Sequence, residues 1–278
     1  MHRGHLIPVL SCSVRTCGLP LERADRVWRC GRGHSYDVSR SGYVNLLQPH
    51  DRRSAAPGDS RDAIAARART IAGPGRELFE RFVERAATLP LADHSAVVDL
   101  GCGSGELLAA LAQFRRINAI GLDLSTAAVD RAARKYPGLT WVVANADRRL
   151  PLLDGRVSLL LSLHARRNPQ ECARALGNGG HLLVAVPADD DLAELREAVQ
   201  GSATRRDRGE SLIDAHRECF TLIDHATARY TVDVTAEQLV DLLSGTYRGA
   251  RRADAGRIQN LSQMTVTFAS EFFLFARG

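Results

Sequence analysis

Between Val97 and Glu106 an apolar run, Val97-Val98-Asp99-Leu100, breaks directly into Gly101-Cys102-Gly103-Ser104-Gly105 and then into a helix-forming segment. A strand, a glycine turn and a helix in that order mark the point where a doubly wound α/β fold receives a nucleotide-like cofactor. Glycines at alternating positions let the backbone turn with positive φ and approach a ligand that a Cβ would push away. The spacing is Gly-x-Gly-x-Gly, shorter than the dinucleotide fingerprint, and Asp99 and Glu106 flank it. Two carboxylates disfavour a phosphate and suit a cationic or zwitterionic ligand. The next strand, Ala119 to Asp123, ends on an acid about where a ribose diol needs an acceptor.

These two segments look like motif I and the following acidic motif of a class I S-adenosylmethionine methyltransferase. The chain downstream keeps the alternation of strand and helix that builds a parallel sheet covered on both faces. Ser125-Thr126 caps a helix predicted over Ala127 to Tyr136, and Pro137-Gly138 stops it. Strands follow at Leu139 to Ala144 and at Val157 to Leu163. A helix from Glu171, a glycine turn and a fifth strand come next. A helix over Leu192 to Val199, an exposed charged loop at 205–210, a strand at Ala226 to Val234, a helix at Ala236 to Leu243 and an antiparallel pair, Met264 to Phe268 with Phe272 to Ala276, complete an expected seven-stranded, Rossmann-like α/β sheet. In such a fold the cofactor would lie against Asp99, Gly101, Cys102, Gly103, Asp123 and Leu124. The adenine would be received by the Asn145 side chain and the Ala146 backbone.

Far upstream, Cys12, Cys17, Cys30 and His34 form Cys-x4-Cys, a twelve-residue gap, and Cys-x3-His. Three thiolates and an imidazole complete a tetrahedral Zn2+ site with no open position, hence a structural one. A short segment rich in Arg and Gly has little apolar surface to bury, and metal ligation supplies on the order of 10 kcal/mol in comparable sites. Cys102, Cys172 and Cys219 have no partner at ligand spacing and read as small buried hydrophobes. The expected division is a zinc-binding module at 1–45, a linker and two helices at 46–90 with a polar stretch over 46–60, and the methyltransferase domain at 91–278.

With both features in hand the chain resembles the bacterial 23S ribosomal RNA guanine-N1 methyltransferases, a family that includes macrolide-resistance enzymes. The resemblance rests on His34-Ser35-Tyr36-Asp37-Val38, Gly42-Tyr43-Val44-Asn45-Leu46-Leu47, Pro57-Gly58-Asp59-Ser60, Ala66-Arg67, Arg167-Asn168-Pro169 and the Gly-Gly strand near Gly179. It implies methyl transfer from S-adenosylmethionine to N1 of a guanine in a 23S rRNA hairpin, gripped in part by the zinc module. It also implies a homodimer whose two zinc modules flank an RNA groove. Departures cluster on the acceptor side. Cys12 serves where the family has a ligand at the position of Val14, Gly73-Pro74-Gly75-Arg76 replaces a Gly-His-Tyr element, His164-Ala165-Arg166-Arg167 replaces an Ala-Pro turn, Asn178 stands where Pro is common, and Tyr247 near an expected Trp.

The chain has 278 residues, a formal net charge of +5 and one lysine, Lys135, so its positive charge is nearly all Arg. No apolar run approaches the twenty residues of a membrane span, and the thiols point to the cytoplasm. Arginines gather in the zinc module (Arg23, Arg26, Arg29, Arg32, beside Trp28 and Tyr36), in the linker (Arg52, Arg53, Arg61, Arg67, Arg69) and near the C-terminus (Arg248, Arg251, Arg252, Arg257). Arg forks with aromatic rings suit phosphates and unpaired bases. Since guanine N1 carries a proton, a base or solvent must take it; His164 is the titratable candidate in the loop after the fourth strand, with Asp147 and Asp154 at other loop ends. Two further readings fit the same residues: a small-molecule methyltransferase on this scaffold, and a catalytically silent RNA-binding protein.

Overall fold

The computed structural model describes residues 8–49, 58–201, 208–245 and 263–278. Arg52, Arg53, Tyr247, Arg248, Arg251, Arg252, Arg257 and residues 205–207 lie outside them. A three-stranded antiparallel meander opens the fold: β1 (Leu21–Ala24), β2 (Val27–Cys30) and β3 (Ser35–Asp37). It leads through β4 (Val44–Asn45) to α1 (Arg61–Ala72), capped by Ser60, and α2 (Arg76–Ala87).

The methyltransferase half alternates as expected: β5 (Ala96–Leu100), α3 (Glu106–Phe114), β6 (Asn118–Asp123), α4 (Thr126–Lys135), β7 (Thr140–Val143), β8 (Val157–Leu163), α5 (Pro169–Ala175) and β9 (Leu176–Pro187). Ser125 accepts a hydrogen bond from the Ala128 N–H and so caps α4. Then come α6 (Ala193–Gln200), α7 (Gly209–His216), β10 (Phe220–Val234), α8 (Ala236–Ser244) and β11 (Met264–Arg277).

The sheet order is β10-β11-β9-β8-β5-β6-β7-β4, antiparallel at β10-β11-β9 and parallel beyond. Seven strands match the expected core. The eighth, β4, comes from the segment before the linker and pairs Val44 with Val142. Three other expectations are corrected. Met264 to Ala276 is one continuous strand paired along its length with β10, because the polar break at Ser270-Glu271 finds partners: Ser270 is buried against His164, and Glu271 meets His225 at 3.2 Å. Gly209 and Glu210 begin α7 and are not loop. Residues 46–60 are not uniformly polar linker either, since Leu46 and Leu47 are buried and the Leu46 N–H donates to the Val143 carbonyl at 3.0 Å.

Because strands buried on both faces carry unbroken apolar runs, alternate residues of β5 to β9 feed two cores. Val97, Trp141, Val143, Leu159 and Leu161 pack with Phe82 of α2, Leu108 of α3 and Val129 of α4. Val98, Leu100, Leu122, Val142, Leu160 and Leu182 pack on the other face with Leu10, Cys12, Leu21, Cys30, Val44 and Leu46. The small N-terminal meander thus has no separate core; it shares that of the sheet. A third cluster joins α6 and α8 to the distal ends of β10 and β11 through Leu195, Leu239, Leu242, Val266 and Phe268. Cys102 and Cys172 are buried as expected, whereas Cys219 is only half-buried. No helix of the described residues is long and apolar enough to cross a membrane.

Candidate active site and metal centre

The glycine turn has the backbone its spacing demands, with φ of +74° at Gly101, +54° at Gly103 and +89° at Gly105. Gly101 and Cys102 N–H groups both donate to the Leu122 carbonyl, at 2.8 and 3.0 Å, which ties the turn to β6. A Cβ on Gly101 would stand 2.5 Å from the Ala165 Cβ, and one on Gly105 2.5 Å from Trp141. At Gly103 a Cβ would meet nothing within 4 Å, so the crest of the turn faces open space.

Asp123 closes the turn from below: its carboxylate accepts from the Gly103 N–H at 2.9 Å and from the Ser125 N–H at 2.7 Å. Burial raises its pKa against those bonds. Asp99 is buried at the end of β5, and burial, then the charges of Asp123 and Glu106, push its pKa up to about 8. Glu106 is held by Ser104 Oγ at 2.8 Å and Lys135 at 3.3 Å. Three acidic side chains gather around an open glycine crest with Lys135 as the cation paired to one of them, and the sulfonium and ammonium of S-adenosylmethionine suit the remaining acidic surface.

Strand register brings Asp123 beside Val143, and the Ala144 N–H donates to the Asp123 carbonyl at 2.9 Å. Leu124 and Ala146 are therefore half-buried on neighbouring strand ends, with buried Asn145 between the two walls. The Asn145 side-chain oxygen accepts from the Asp147 N–H at 3.0 Å, a local turn that fixes its orientation. Gly58 and Asp59 are neighbours of this corner to which the sequence alone gives no role. Gly58 has φ +93° and packs so tightly on Ser125 that a Cβ would lie 2.6 Å from its Cα. Ser125 Oγ donates to the Asp59 carbonyl at 2.9 Å, and the Asp59 carboxylate pairs with Arg67 at 2.7 Å. The segment leading into α1 is thereby fixed against the N-terminus of α4, beside Asp123.

On the acceptor side His164 has a left-handed backbone, φ +55°, and its Nε2 lies 2.8 Å from Ser270 Oγ. The residue as a whole is exposed, yet protein packed around the imidazole desolvates it and, with Arg208 and Arg67, pushes its pKa down to about 4. It is a neutral and weak base at neutral pH. Asp147 is paired with Arg166 at 3.2 Å, and Asp154 with Arg174 at 2.5 Å, away from the turn.

The four upstream ligands converge. Their donor atoms all lie within 4.8 Å of one another, with Cys17 Sγ 3.8 Å from Cys30 Sγ and His34 Nδ1 3.4 Å from both Cys12 Sγ and Cys30 Sγ. A Zn–S bond of about 2.3 Å in a tetrahedron gives an S···S edge of roughly 3.8 Å, so the cluster has the dimensions of a zinc site. Burial opposes the Cys30 thiolate, but the backbone N–H groups of Arg32 and His34 outweigh it and hold the pKa down to about 6. Tyr36 OH lies 3.1 Å from Cys12 Sγ and accepts from the Ser13 N–H, an outer contact that orients the ligand. Trp28 and Tyr36 face each other across β2 and β3 and pack partly on the shared core.

The parallel sheet, its carboxylate-ringed turn and the acid ending the next strand make this a class I methyltransferase that carries a zinc ribbon. Family models agree: a methyltransferase domain matches residues 97–180, and the RlmA N-terminal zinc ribbon matches residues 11–55. A complex of the Trm112 methyltransferase activator with a methyltransferase from Haloferax volcanii shares the fold, with a TM-score of 0.51 at 21% identity over 79% of this chain and 98% of that one. In sequence, the 23S rRNA (guanine(748)-N(1))-methyltransferase of Streptomyces fradiae is 41% identical over 71% of this chain and 70% of its own. A Micromonospora griseorubida protein bearing the 23S rRNA (guanine-N(1)-)-methyltransferase name is 33% identical over 91% and 90%. The chain belongs to the 23S rRNA guanine-N1 methyltransferase family.

Proposed function

We propose that the protein transfers the methyl group of S-adenosylmethionine to N1 of a guanine in a hairpin loop of 23S rRNA. The observation that favours RNA over a small acceptor is a basic groove of about 440 Å³ between α1 and α4, lined by Arg61, Arg131, Arg134 and Lys135 with Asp130. At one end Ser41, in the loop after β3, donates to Asp130 at 2.7 Å; at the other the groove meets the Gly58-Asp59 segment against Ser125. Arg134 is paired with Asp130 and Lys135 with Glu106, so Arg61 and Arg131 supply the groove's positive charge toward a phosphate backbone. The open crest at Gly103 weighs against a silent protein whose pocket has closed.

In this reading residues 1–45 grip RNA, 46–90 link and cover the site, and 91–278 carry the transfer. Two copies act as a homodimer with their zinc ribbons flanking the RNA, in the cytoplasm, and the methyl mark protects the ribosome from a drug that binds the hairpin. Asp99 and Glu106 offset the cofactor's positive charge, Asp123 holds the ribose hydroxyls, and Asn145 with the Ala146 backbone receives the adenine. Gly101, Cys102, Gly103 and Leu124 form the close walls. The cofactor, when bound, supplies a methyl already activated on a sulfonium. The protein's task is to align guanine N1 behind it and to exclude water. As the N–C bond forms, the C–S electron pair stays on sulfur and the N1 proton leaves. Neutral His164, in the loop after β8, is the candidate acceptor of that proton in this reading, and its low pKa makes it a weak base beside direct loss of the proton to solvent.

The deciding experiment incubates the protein with methyl-labelled S-adenosylmethionine and unmethylated 23S RNA, then maps the label by nuclease digestion and mass spectrometry. Label on guanine N1 that vanishes in Asp99→Ala and Asp123→Ala is expected. Cofactor binding without label on RNA would overturn the reading in favour of a small acceptor.

Asp99 adds a pH signature. Below pH 8 the free protein holds a proton on this carboxyl, while a bound cation favours the carboxylate, so binding expels the proton. Cofactor affinity should rise up to about tenfold per unit from pH 5.5 to 7, a window below the amino-group pKa of about 7.7–8.0, where the ligand keeps its charge. Calorimetry in buffers of different ionisation heat measures the proton released. Affinity flat across that window would remove Asp99 from the binding step.

A further inference from the structure

The loop between β8 and α5, residues 164–168, lies against the glycine turn through Ala165, and its own Arg167 holds its shape together with a partner from the C-terminal half. The Arg167 side chain folds back beneath the loop, where its Nη1 donates to the Ala165 carbonyl at 3.0 Å and to Ser162 Oγ at 3.3 Å, and its Nε donates to His216 Nε2 at 3.2 Å. Ser162 is fully buried, and its Oγ lies 3.3 Å from the same Ala165 carbonyl. His216 is 2% exposed. Its Nδ1 lies 2.7 Å from the Leu212 carbonyl, so Nδ1 carries the proton and Nε2 presents a lone pair to the guanidinium. The ring is stacked on Phe275 at 5.1 Å, which fixes its plane.

We propose that Arg167, held by His216, is a positioning residue that sets the acceptor loop against the cofactor turn for methyl transfer. The inference rests on the guanine-N1 reading given above. What makes the loop's position matter is Ala165: its Cβ occupies the space beside Gly101 that any larger residue there would need. The roof of the acceptor site and the floor of the cofactor site are in van der Waals contact, and the guanidinium fixes the carbonyl of the residue that makes it. Movement of about 1 Å at such a contact is enough to cost about 10²-fold in rate. The imidazole must be neutral to accept from Arg167. Burial, with the nearby Arg167 charge, pushes the His216 pKa down to about 4, which keeps that hydrogen bond intact at working pH.

The test compares His216→Phe, which keeps a ring on Phe275 but removes the acceptor, with His216→Gln, whose side-chain oxygen can still accept. In single-turnover transfer to 23S RNA, His216→Phe should fall about 10²-fold and His216→Gln should recover to within about fivefold. S-adenosylmethionine affinity and the melting transition should stay near wild type in both. Wild-type rates in His216→Phe, or cofactor affinity lost in step with rate, would overturn the proposal, the second because the change would then be one of general folding. Amide hydrogen exchange at residues 164–168 reads the clamp without RNA, and unaltered protection in His216→Phe would also overturn it. If wild-type protein leaves 23S RNA unlabelled, the guanine-N1 reading fails, while the exchange arm still decides whether Arg167 and His216 hold the loop.

Discussion

Gly101→Val is expected to lower methyl transfer by about 10³-fold while leaving the zinc ribbon folded. Two costs combine. Gly101 sits at φ +74°, a conformation a β-branched side chain takes only under strain. Its new Cβ would also stand 2.5 Å from that of Ala165, so either the glycine turn or the acceptor loop must retreat. Retreat of the turn breaks the pair of hydrogen bonds to Leu122 and weakens cofactor binding; retreat of the loop misaligns the acceptor. Gly103→Ala is the contrast: it carries left-handed strain at φ +54° as well, but its Cβ meets no protein atom within 4 Å, so its smaller effect should fall on the glycine turn and cofactor affinity and leave the acceptor loop in place. Transfer rates, cofactor titration and zinc content of the purified variants separate the two. A Gly101→Val protein with near wild-type transfer would show that the loop does not seat on the turn.

Removing zinc should be nearly as severe, and its effect should not stop at the ribbon. Ligation contributes on the order of 10 kcal/mol in small sites of this kind. Cys12 and Cys30 are members of the same apolar cluster as Val98, Leu122, Leu160 and Leu182, and the Ser11 N–H donates to the Pro151 carbonyl at 2.9 Å. Loss of the metal therefore strips cover from one face of the sheet. Chelation, or Cys30→Ser, is expected to abolish RNA methylation and lower the melting temperature of the whole chain in a single transition. A chelated protein that melts as before would mean the cluster holds no metal of structural weight. A ribbon that melts alone would mean the shared core couples it only weakly to the sheet.

Local chemistry made much of this legible. The glycine turn, the Ser125 cap, the order of strands and helices and the four zinc ligands were each readable because the residues that define them lie close together or at ligand spacing. Pairing across long distances was not. Val44 and Asn45 give no local sign that they extend the sheet beside Val142, and the two-residue strand is too short for alternation to show. Ser270-Glu271 reads as a break in a strand because a sequence cannot say that His164 and His225 wait opposite. Arg167 and His216 stand 49 residues apart, and only the fold reveals that an arginine beside the glycine turn is answered by a histidine on α7. The acceptor side depends on such remote partners, whereas the cofactor side is built largely from neighbours in sequence.

The outer ends of β10 and β11 have a different consequence. Strand β9 pairs with β11 only from Ser270 to Ala276; past it Met264 to Ala269 pair with β10 on one edge and are held on the other by residues 188–194, whose Ala188 and Leu192 N–H groups donate to the Ala269 and Thr267 carbonyls. On this extension rest α6 and α8, with their own cluster of Leu195, Leu239, Leu242, Val266 and Phe268, and Arg67 of α1 is tethered to it through the Gly245 carbonyl at 2.9 Å. A satellite core of that size can open at a smaller free energy than the two cores of the sheet, because separating it leaves the central strands paired. The layer of α6 and α8 is therefore a cooperative unit apart from the two cores of the sheet, and its loosening leaves in place the central strands that hold Asp99 and Asp123.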